Sequence, residues 1–478
     1  MRVRYEPQLA TLRGSDTAKA AGLALAMIAN NVIALVSTIV FARLLSDYAS
    51  LAALVSYFLI LSVVGYAIQV ATAREGVLGH LGVGAGLTAT LKRWTWSLAL
   101  FTVAATVVSI LLRDPIAQAV GVQHDQWAAA IGIPAGCLWI ELSFLRGALQ
   151  GVGDYKSVGI SLVGEQSVRL IAGAALAAAG LGVTGAYLGT PISFVAMGIY
   201  CAIQLRRYVE RTTPPGAEEP AERVEPGAAP ARPATARPAA AEAALGLWSH
   251  VKRAWAPIAG LIVIAVLQNI DIIAAKHRFG GVHDLASSYA ATAVAAKVLI
   301  WVAIGAGFYL VPEVSRRRAD GEDTRPVLAR ALAIILVCSV PVLLIFAFAA
   351  EPLLRIGFGP HRLKASSSLL ILGIAFTVLA ATYLAIQYML ALKRVRFLAV
   401  VGVVAVAEPI LLLQASRRPE GFAAVVLAIQ AAGALAAFAL ALRREKRSVA
   451  GGPDGVSEET ELGGRLDSKR QATLVSRA

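Results

Sequence analysis

Charge is scarce in this sequence: 15% of its 478 residues are Asp, Glu, Lys or Arg, where a soluble domain carries roughly a quarter. With 57% hydrophobic residues, a water-solvated globule is excluded and lipid becomes the main solvent. Cysteine is nearly absent as well. Cys137, Cys201 and Cys338 all fall within apolar runs, without metal-ligand spacing, so they read as small buried hydrophobes. The six histidines are scattered, and there is no Ser-His-Asp set, metal constellation or phosphate-cradling glycine loop. The chain is therefore read as a non-enzyme, with no catalytic residue, no metal site and no cofactor. The net charge of +14 could suit nucleic acid, but the basic residues form short clusters between apolar runs, not a patch interleaved with aromatics. No nucleic-acid partner is expected.

What is abundant is the long apolar run. A bilayer core about 30 Å thick needs roughly 20 residues of helix, and runs of that size recur near 20–42, 51–73, 96–112, 127–147, 157–179 and 183–204. Six more follow near 254–275, 287–311, 327–349, 366–390, 398–414 and 421–442. The fold class predicted is an all-α polytopic membrane protein of about twelve spans. The first run follows Arg2, Arg4, Arg13 and Lys19 and is too long for a signal-peptide core, so it reads as an uncleaved span. With the N-terminus inside, about 32 Lys and Arg fall on the inner side and about 9 outside. Both termini are thus expected in the cytoplasm and the protein in the cell's cytoplasmic membrane. Seven prolines between 214 and 238, among Ala, Glu and Arg, mark an extended linker. The predicted domains are a cytoplasmic segment 1–19, a six-helix bundle 20–208, the linker 209–247, a second six-helix bundle 248–444 and a disordered cytoplasmic tail 445–478.

The halves resemble each other. Ala42-Arg43 ends the first span and Ala275-Lys276 the seventh, 233 positions on, and Asp154-Tyr155 and Arg396-Phe397 precede the fifth and eleventh, 242 apart. Glu165 and Glu408 then stand ten and eleven residues beyond those aromatics. With six spans per half, the repeat is parallel, about an axis along the membrane normal.

Phe41-Ala42-Arg43-Leu44-Leu45-Ser46 resembles a signature of the polysaccharide and lipid-linked oligosaccharide flippases of the multidrug/oligosaccharidyl-lipid/polysaccharide exporter superfamily. Arg146 to Tyr155 with Glu165, Arg169 and Gly180 to Gly185 is similar to the family's fourth-to-sixth-span region. Asp271 to Phe279 with Tyr289, Lys297 and Pro312 is similar to its seventh and eighth spans. Asp47 departs from the pattern, since many members have proline there. The resemblance implies a V-shaped pair of six-helix bundles about a central cavity, moving an undecaprenyl-diphosphate-linked oligosaccharide across the membrane by alternating access for cell-surface polysaccharide biosynthesis. The partners it implies are the lipid-linked glycan, membrane lipids, a coupling ion (H+ or Na+) and a polysaccharide polymerase. A cation-coupled multidrug exporter of the same superfamily, a flippase for a lipid-linked peptidoglycan precursor and a membrane glycan polymerase or ligase are the competing readings.

Intramembrane charge costs about 2.5 to 3.5 kcal/mol per group at mid-bilayer and so marks cavities or partners. Arg169 and Lys297 are the deepest cations and the first candidates for holding a diphosphate. Arg43 and Lys276, near the outer rim, are candidates to receive it next, or else snorkel to headgroups. Asp271, Glu408 and Glu165 are candidate coupling-ion or proton sites. Glu165 and Arg169, four apart on one helix, could equally neutralise each other, and Glu141 and Arg146 could guard or anchor the cytoplasmic mouth. Trp94, Trp96 and Trp255 read as an interfacial belt.

The topology has a direct check. Cysteines introduced at Ala231 and Ser448 should react with a membrane-impermeant thiol reagent only after the inner membrane is opened, and labelling in intact spheroplasts would reverse the orientation.

Overall fold

The computed structural model describes residues 16–77, 85–212, 255–280, 284–392, 394–395 and 397–442. The first fifteen residues, the linker between 213 and 254 and the tail beyond 442, to which the sequence assigns no packed structure, lie outside the described residues.

The first half comprises α1 (Asp16–Leu44), α2 (Tyr48–Val77), α3 (Ala85–Leu111), the short α4 (Arg113–Val120), α5 (Gln126–Gly151), α6 (Tyr155–Leu176) and α7 (Gly182–Thr212). The second comprises α8 (Trp255–Phe279), α9 (Leu285–Ala296), α10 (Val298–Ala319), α11 (Arg325–Phe348), the short α12 (Ala350–Phe358), α13 (Leu369–Ala391), α14 (Phe397–Gln414) and α15 (Pro419–Ala441). Among the described residues, eleven helical runs are long and apolar enough to cross a membrane. One of them, Tyr155–Arg211, is 57 residues long, too long for a single crossing. It doubles back where Gly180 and Gly182 take φ of 99° and 51°, a conformation that costs glycine little. The crossings therefore number twelve, with α9 and α10 sharing one.

Lipid as solvent decides which faces pack. Helices α2, α5, α8 and α13 are the most buried of the spans, α5 against α2 and α7, and α13 against α10, α11 and α15. The outward faces of α1, α3 and α11 expose Leu25, Ile28, Val32, Trp96, Leu100, Leu336, Val337 and Phe348, as a lipid-facing surface does. Cys338 lies on such a face and is exposed, unlike Cys137 and Cys201, which are buried as expected. Trp94 stacks on Phe144 with ring centroids 5.2 Å apart, while Trp96 and Trp255 are exposed like belt residues.

Two departures from the sequence reading matter. The helix of the third span begins at Ala85 and its membrane-crossing stretch at Leu91, ahead of the run read near 96–112, because the helix carries Lys92 and Arg93 past the apolar core. The connections after the third and ninth spans, read as loops, are the short helices α4 and α12. Each begins with an acidic-Pro-aliphatic run, Asp114-Pro115-Ile116 and Glu351-Pro352-Leu353, 237 positions apart. Proline in the first turn lacks only an N–H that would go unpaired, and the acid suits the positive helix end.

The two halves meet through α2 and α8, with α9 adding to the contact. The end of the molecule bearing the α1–α2 and α8–α9 turns is called the far end below, and the opposite one the linker end.

Helices α6 and α7 approach closely through glycine. A Cβ at Gly189 would lie 2.5 Å from the Arg169 carbonyl oxygen, and one at Gly173 2.7 Å from that of Ala186. Gly189→Leu should therefore cost about 1 to 3 kcal/mol or more by overpacking, seen as a lower melting temperature and membrane abundance. Gly198→Ala, in open space on the same helix, should leave both unchanged.

Candidate functional site

Three polar assemblies stand out in an otherwise apolar molecule. The first joins the halves at the far end and arises from a general need: the last carbonyls of a helix have no partner within it. Arg43, at the end of α1, donates to the Ile356 and Gly357 carbonyls in the last turn of α12. His277, at the end of α8, donates from Nε2 to the Ala119 carbonyl in the last turn of α4, at 3.0 Å. Each half thus caps the short helix of the other, and cations are favoured at that negative helix end.

Further bonds close the same surface. Arg362, buried, donates from Nη2 to the Leu45 and Ser46 carbonyls at 2.6 and 3.0 Å and lies 3.3 Å from Asp284. The Ala49 amide donates to Ser287 Oγ at 3.1 Å, and Lys276 Nζ to Asp47 at 2.7 Å. Asp47 also accepts from Ser50, starting α2. The sequence departure at Asp47 is thereby explained: a proline there would remove the acceptor for Lys276. Arg43 and Lys276, read as rim cations, are both tied across the interface. The missed signal is Asp47-Tyr48-Ala49-Ser50 against Asp284-Leu285-Ala286-Ser287, again 237 positions apart.

The second assembly lies inside the first half. Arg146 on α5 is fully buried and donates from Nε to Ser161 Oγ at 2.8 Å, from Nη2 to the Ser161 carbonyl at 2.8 Å and from Nη1 to Glu165 Oε2 at 2.9 Å. Arg169 bonds the other oxygen of Glu165 and stacks its guanidinium over Phe194 at 5.3 Å. The pairing of Glu165 with Arg169 is thus present, yet Arg146 also claims the carboxylate, and Arg146 sits in the bundle core instead of at its mouth. Two guanidiniums against one carboxylate leave a positive surplus. Arg169 carries it: its Nε has no hydrogen-bond partner and its side chain is 20% exposed. At the linker end of the same helix, a cavity of about 820 Å3 opens between α1 and α6, lined by Leu23, Leu25, Ala26, Ile160 and Val163 with Lys156 beside it.

The third assembly lies inside the second half. Lys297 Nζ is 3.0 Å from Asp271 Oδ1, and the ammonium faces the Phe376 ring at 5.3 Å. Gln430 on α15 donates to Glu408 Oε1 at 3.0 Å and to the Leu267 carbonyl at 3.1 Å. Asp271 and Glu408 are fully buried. The eighth span, read as one helix, breaks at Lys297, whose carbonyl accepts from Ile300 in a 3₁₀-type turn. Arg169 and Lys297, paired in the sequence reading as joint diphosphate ligands, are each bonded to carboxylates of their own half. Among the described residues, no group of three or more His, Cys, Asp and Glu side chains could hold a metal ion.

No protein-family model matches the sequence, and no curated protein matches it. Solved structures do. The chain is similar to the lipid II flippase MurJ in an inward closed conformation, with TM-score 0.62, 13% identity and 87% of each chain covered. It is also similar to an inward-facing multidrug resistance MATE family transporter of the MOP superfamily (TM-score 0.57, 14% identity, 86% of this chain and 93% of that one). A MATE protein in the bent conformation aligns at TM-score 0.56 and 14% identity, covering 90% and 95%. The chain shares the fold of these solved transporters. The resemblance read from Phe41 to Ser46 and from the later spans thus extends to the architecture.

The clasp should respond to mutation and to pH in defined ways. Arg362→Ala removes charged hydrogen bonds worth about 1.5 to 3 kcal/mol, so thiol labelling of a Ser287→Cys protein should rise roughly tenfold or more, and less for Lys276→Ala. Burial alone would raise the Asp47 carboxyl, but the bonds from Lys276 and Ser50 outweigh it and hold it below the ordinary 3.8. A lowered pKa in the clasped state stabilises that state above the ordinary value and stops doing so as pH falls through the lowered one. Labelling, expressed relative to a free thiol at the same pH to remove the change in thiolate fraction, should therefore be flat between about pH 5 and 8 and rise only in strong acid.

Proposed function

We propose that this chain is a flippase that moves a lipid-diphosphate-linked glycan across the cytoplasmic membrane by alternating access, with the linker end and both termini in the cytoplasm. The observation that carries this reading is the positive surplus at Arg169. A guanidinium buried to that degree, with one nitrogen unpartnered and its helix flanked by an apolar cavity, suits an anionic headgroup on a hydrophobic tail. Arg offers a planar fork to phosphate oxygens, and Arg146 with Glu165 fixes its position. The cavity between α1 and α6 gives the tail an apolar wall.

Alternation follows from the clasp. With Arg43, Arg362, Lys276 and His277 joining the halves, the far end is shut, and a substrate leaves there only after those bonds break. The orientation rests on the excess of Lys and Arg at the linker end. The carboxylates of the second half, Asp271 and Glu408, serve as the coupling site: two carboxylates beside one ammonium leave a negative charge that a bound proton removes. Those same carboxylates support a second reading, a cation-coupled exporter of small molecules, which would need no fixed cation facing its cargo.

Reconstituted protein tests this. Arg169→Gln should abolish translocation of a lipid-diphosphate glycan at normal abundance, and Arg169→Lys should keep part of it. Loss of one partner from a desolvated charge pair costs about 2 to 5 kcal/mol, roughly thirtyfold or more in affinity. Wild-type flipping rates in Arg169→Gln would sink the lipid-diphosphate reading.

A further inference from the structure

Counting donors and acceptors in the second-half cluster leads further. Asp271 Oδ2 and Glu408 Oε2 are buried and have no hydrogen-bond partner among the described residues, and the buried Tyr289 hydroxyl lies beside Asp271. An all-oxygen set with two carboxylates, sealed from solvent, is the donor chemistry that binds a hard cation. Here a cation is already supplied by the chain. Lys297 is 8% exposed, and its ammonium reaches Asp271 Oδ1 at 3.0 Å from the single residue where the α9–α10 span loses its α-helical pattern.

We propose that the Lys297 ammonium is the resident cation of this cluster, a tethered substitute for a free alkali-metal ion, so that the protein has no sodium site there until the lysine is removed.

Three features support the assignment. A second monovalent cation on Asp271 or Glu408 would stand a few ångströms from the ammonium, where like charges repel strongly in a low-dielectric interior. The Gln430 amide is oriented by two acceptors, the Leu267 carbonyl and Glu408 Oε1, so it turns N–H donors toward the cluster. A metal ion would need its oxygen instead. Finally, the covalent tether keeps the ammonium at the cluster whatever the concentration of dissolved ions. Lys297 is thereby assigned to the coupling cluster, leaving Arg169 as the anion partner. The binding claim stands without the proposed function, and only its consequence for coupling rests on that reading.

The test compares melting of purified protein in NaCl and in N-methyl-D-glucamine chloride at equal ionic strength, since an ion that binds only the folded state raises its stability. Wild type and Lys297→Arg should melt identically in the two salts. Lys297→Ala should gain a saturable sodium-dependent rise in melting temperature, and Lys297→Ala with Asp271→Asn should lose it. A saturable sodium response in wild type that Asp271→Asn abolishes overturns the proposal. So does a folded Lys297→Ala protein with no response. Should Lys297→Ala yield no folded protein, the wild-type titration decides: flat supports the tethered cation, saturable refutes it. In proteoliposomes a sodium gradient should not drive glycan-lipid movement. If it does, this inference fails while the flippase reading stands. If no glycan lipid moves under any gradient, the flippase reading fails and the melting result still decides the sodium site.

Discussion

The constraint that organises this molecule is that lipid offers no hydrogen bonds. A helix end, a carboxylate or a guanidinium placed away from water must find its partner inside the protein. At the far end this need is met across the two halves. The last carbonyls of α12 are capped by Arg43 of α1, and those of α4 by His277 of α8. Each half's own backbone caps the Ala117, Gln118 or Arg355 carbonyls, while those of Ala119, Ile356 and Gly357 are met from the other half, so closure of the far end is the state in which these last groups are paired. Opening is possible because the same carbonyls lie at the rim, where water can replace the lost bonds. A clasp built from backbone acceptors is therefore both specific and reversible, which a purely apolar seam would not be.

Inside the halves the constraint has the opposite effect, since Arg146, Asp271 and Glu408 are fully buried and a broken pair there has no solvent beside it. Arg146 spends all its described bonds on Ser161 and Glu165, which makes it a fixed support. Arg169 does not: it bonds only the other carboxylate oxygen and keeps a nitrogen unpartnered. That difference in satisfaction, rather than depth in the membrane, separates a structural cation from one available to a ligand.

Depth was all that the sequence offered, and this explains what was legible. Twelve crossings could be read because apolar runs report their own environment, and Gly180 to Gly185 marked the hairpin between α6 and α7. Glu165, Asp271, Glu408, Arg169 and Lys297 were legible as intramembrane charges for the same reason. Their partners were not, because pairing depends on which helices are neighbours. Arg146 lay near the end of an apolar run and read as a mouth residue, whereas the packing of α5 against α6 and α7 buries it completely. Lys297 read as a free cation because the break between α9 and α10 has no glycine or proline to announce it. The clasp was legible in part. Acidic residues recur at a constant 237 positions, Asp47 and Asp284 in the clasp and Asp114 and Glu351 at the starts of the short helices it caps, but Arg362, the residue with most bonds across the seam, has no counterpart in that series.

The repeat also shows how one architecture acquires two chemistries. Glu165 and Glu408 hold related places in the two halves, each on the fifth span of its half. Glu165 has Arg146 from the preceding span and Arg169 one turn along its own helix, so its charge is more than cancelled. Glu408 has a neutral Gln430 from the following span, and the nearby ammonium of Lys297 is bonded to Asp271. The first half therefore ends with surplus positive charge and the second with surplus carboxylate. In a low-dielectric medium neither surplus relaxes by solvation. On the proposed function, the first is the place for an anion and the second for a proton. Transport needs the two to be separate, because a carboxylate beside Arg169 that was free to titrate would switch the anion's partner off whenever it ionised. Holding Glu165 between two guanidiniums prevents that, and under the proposed function leaves proton exchange to the half away from the headgroup.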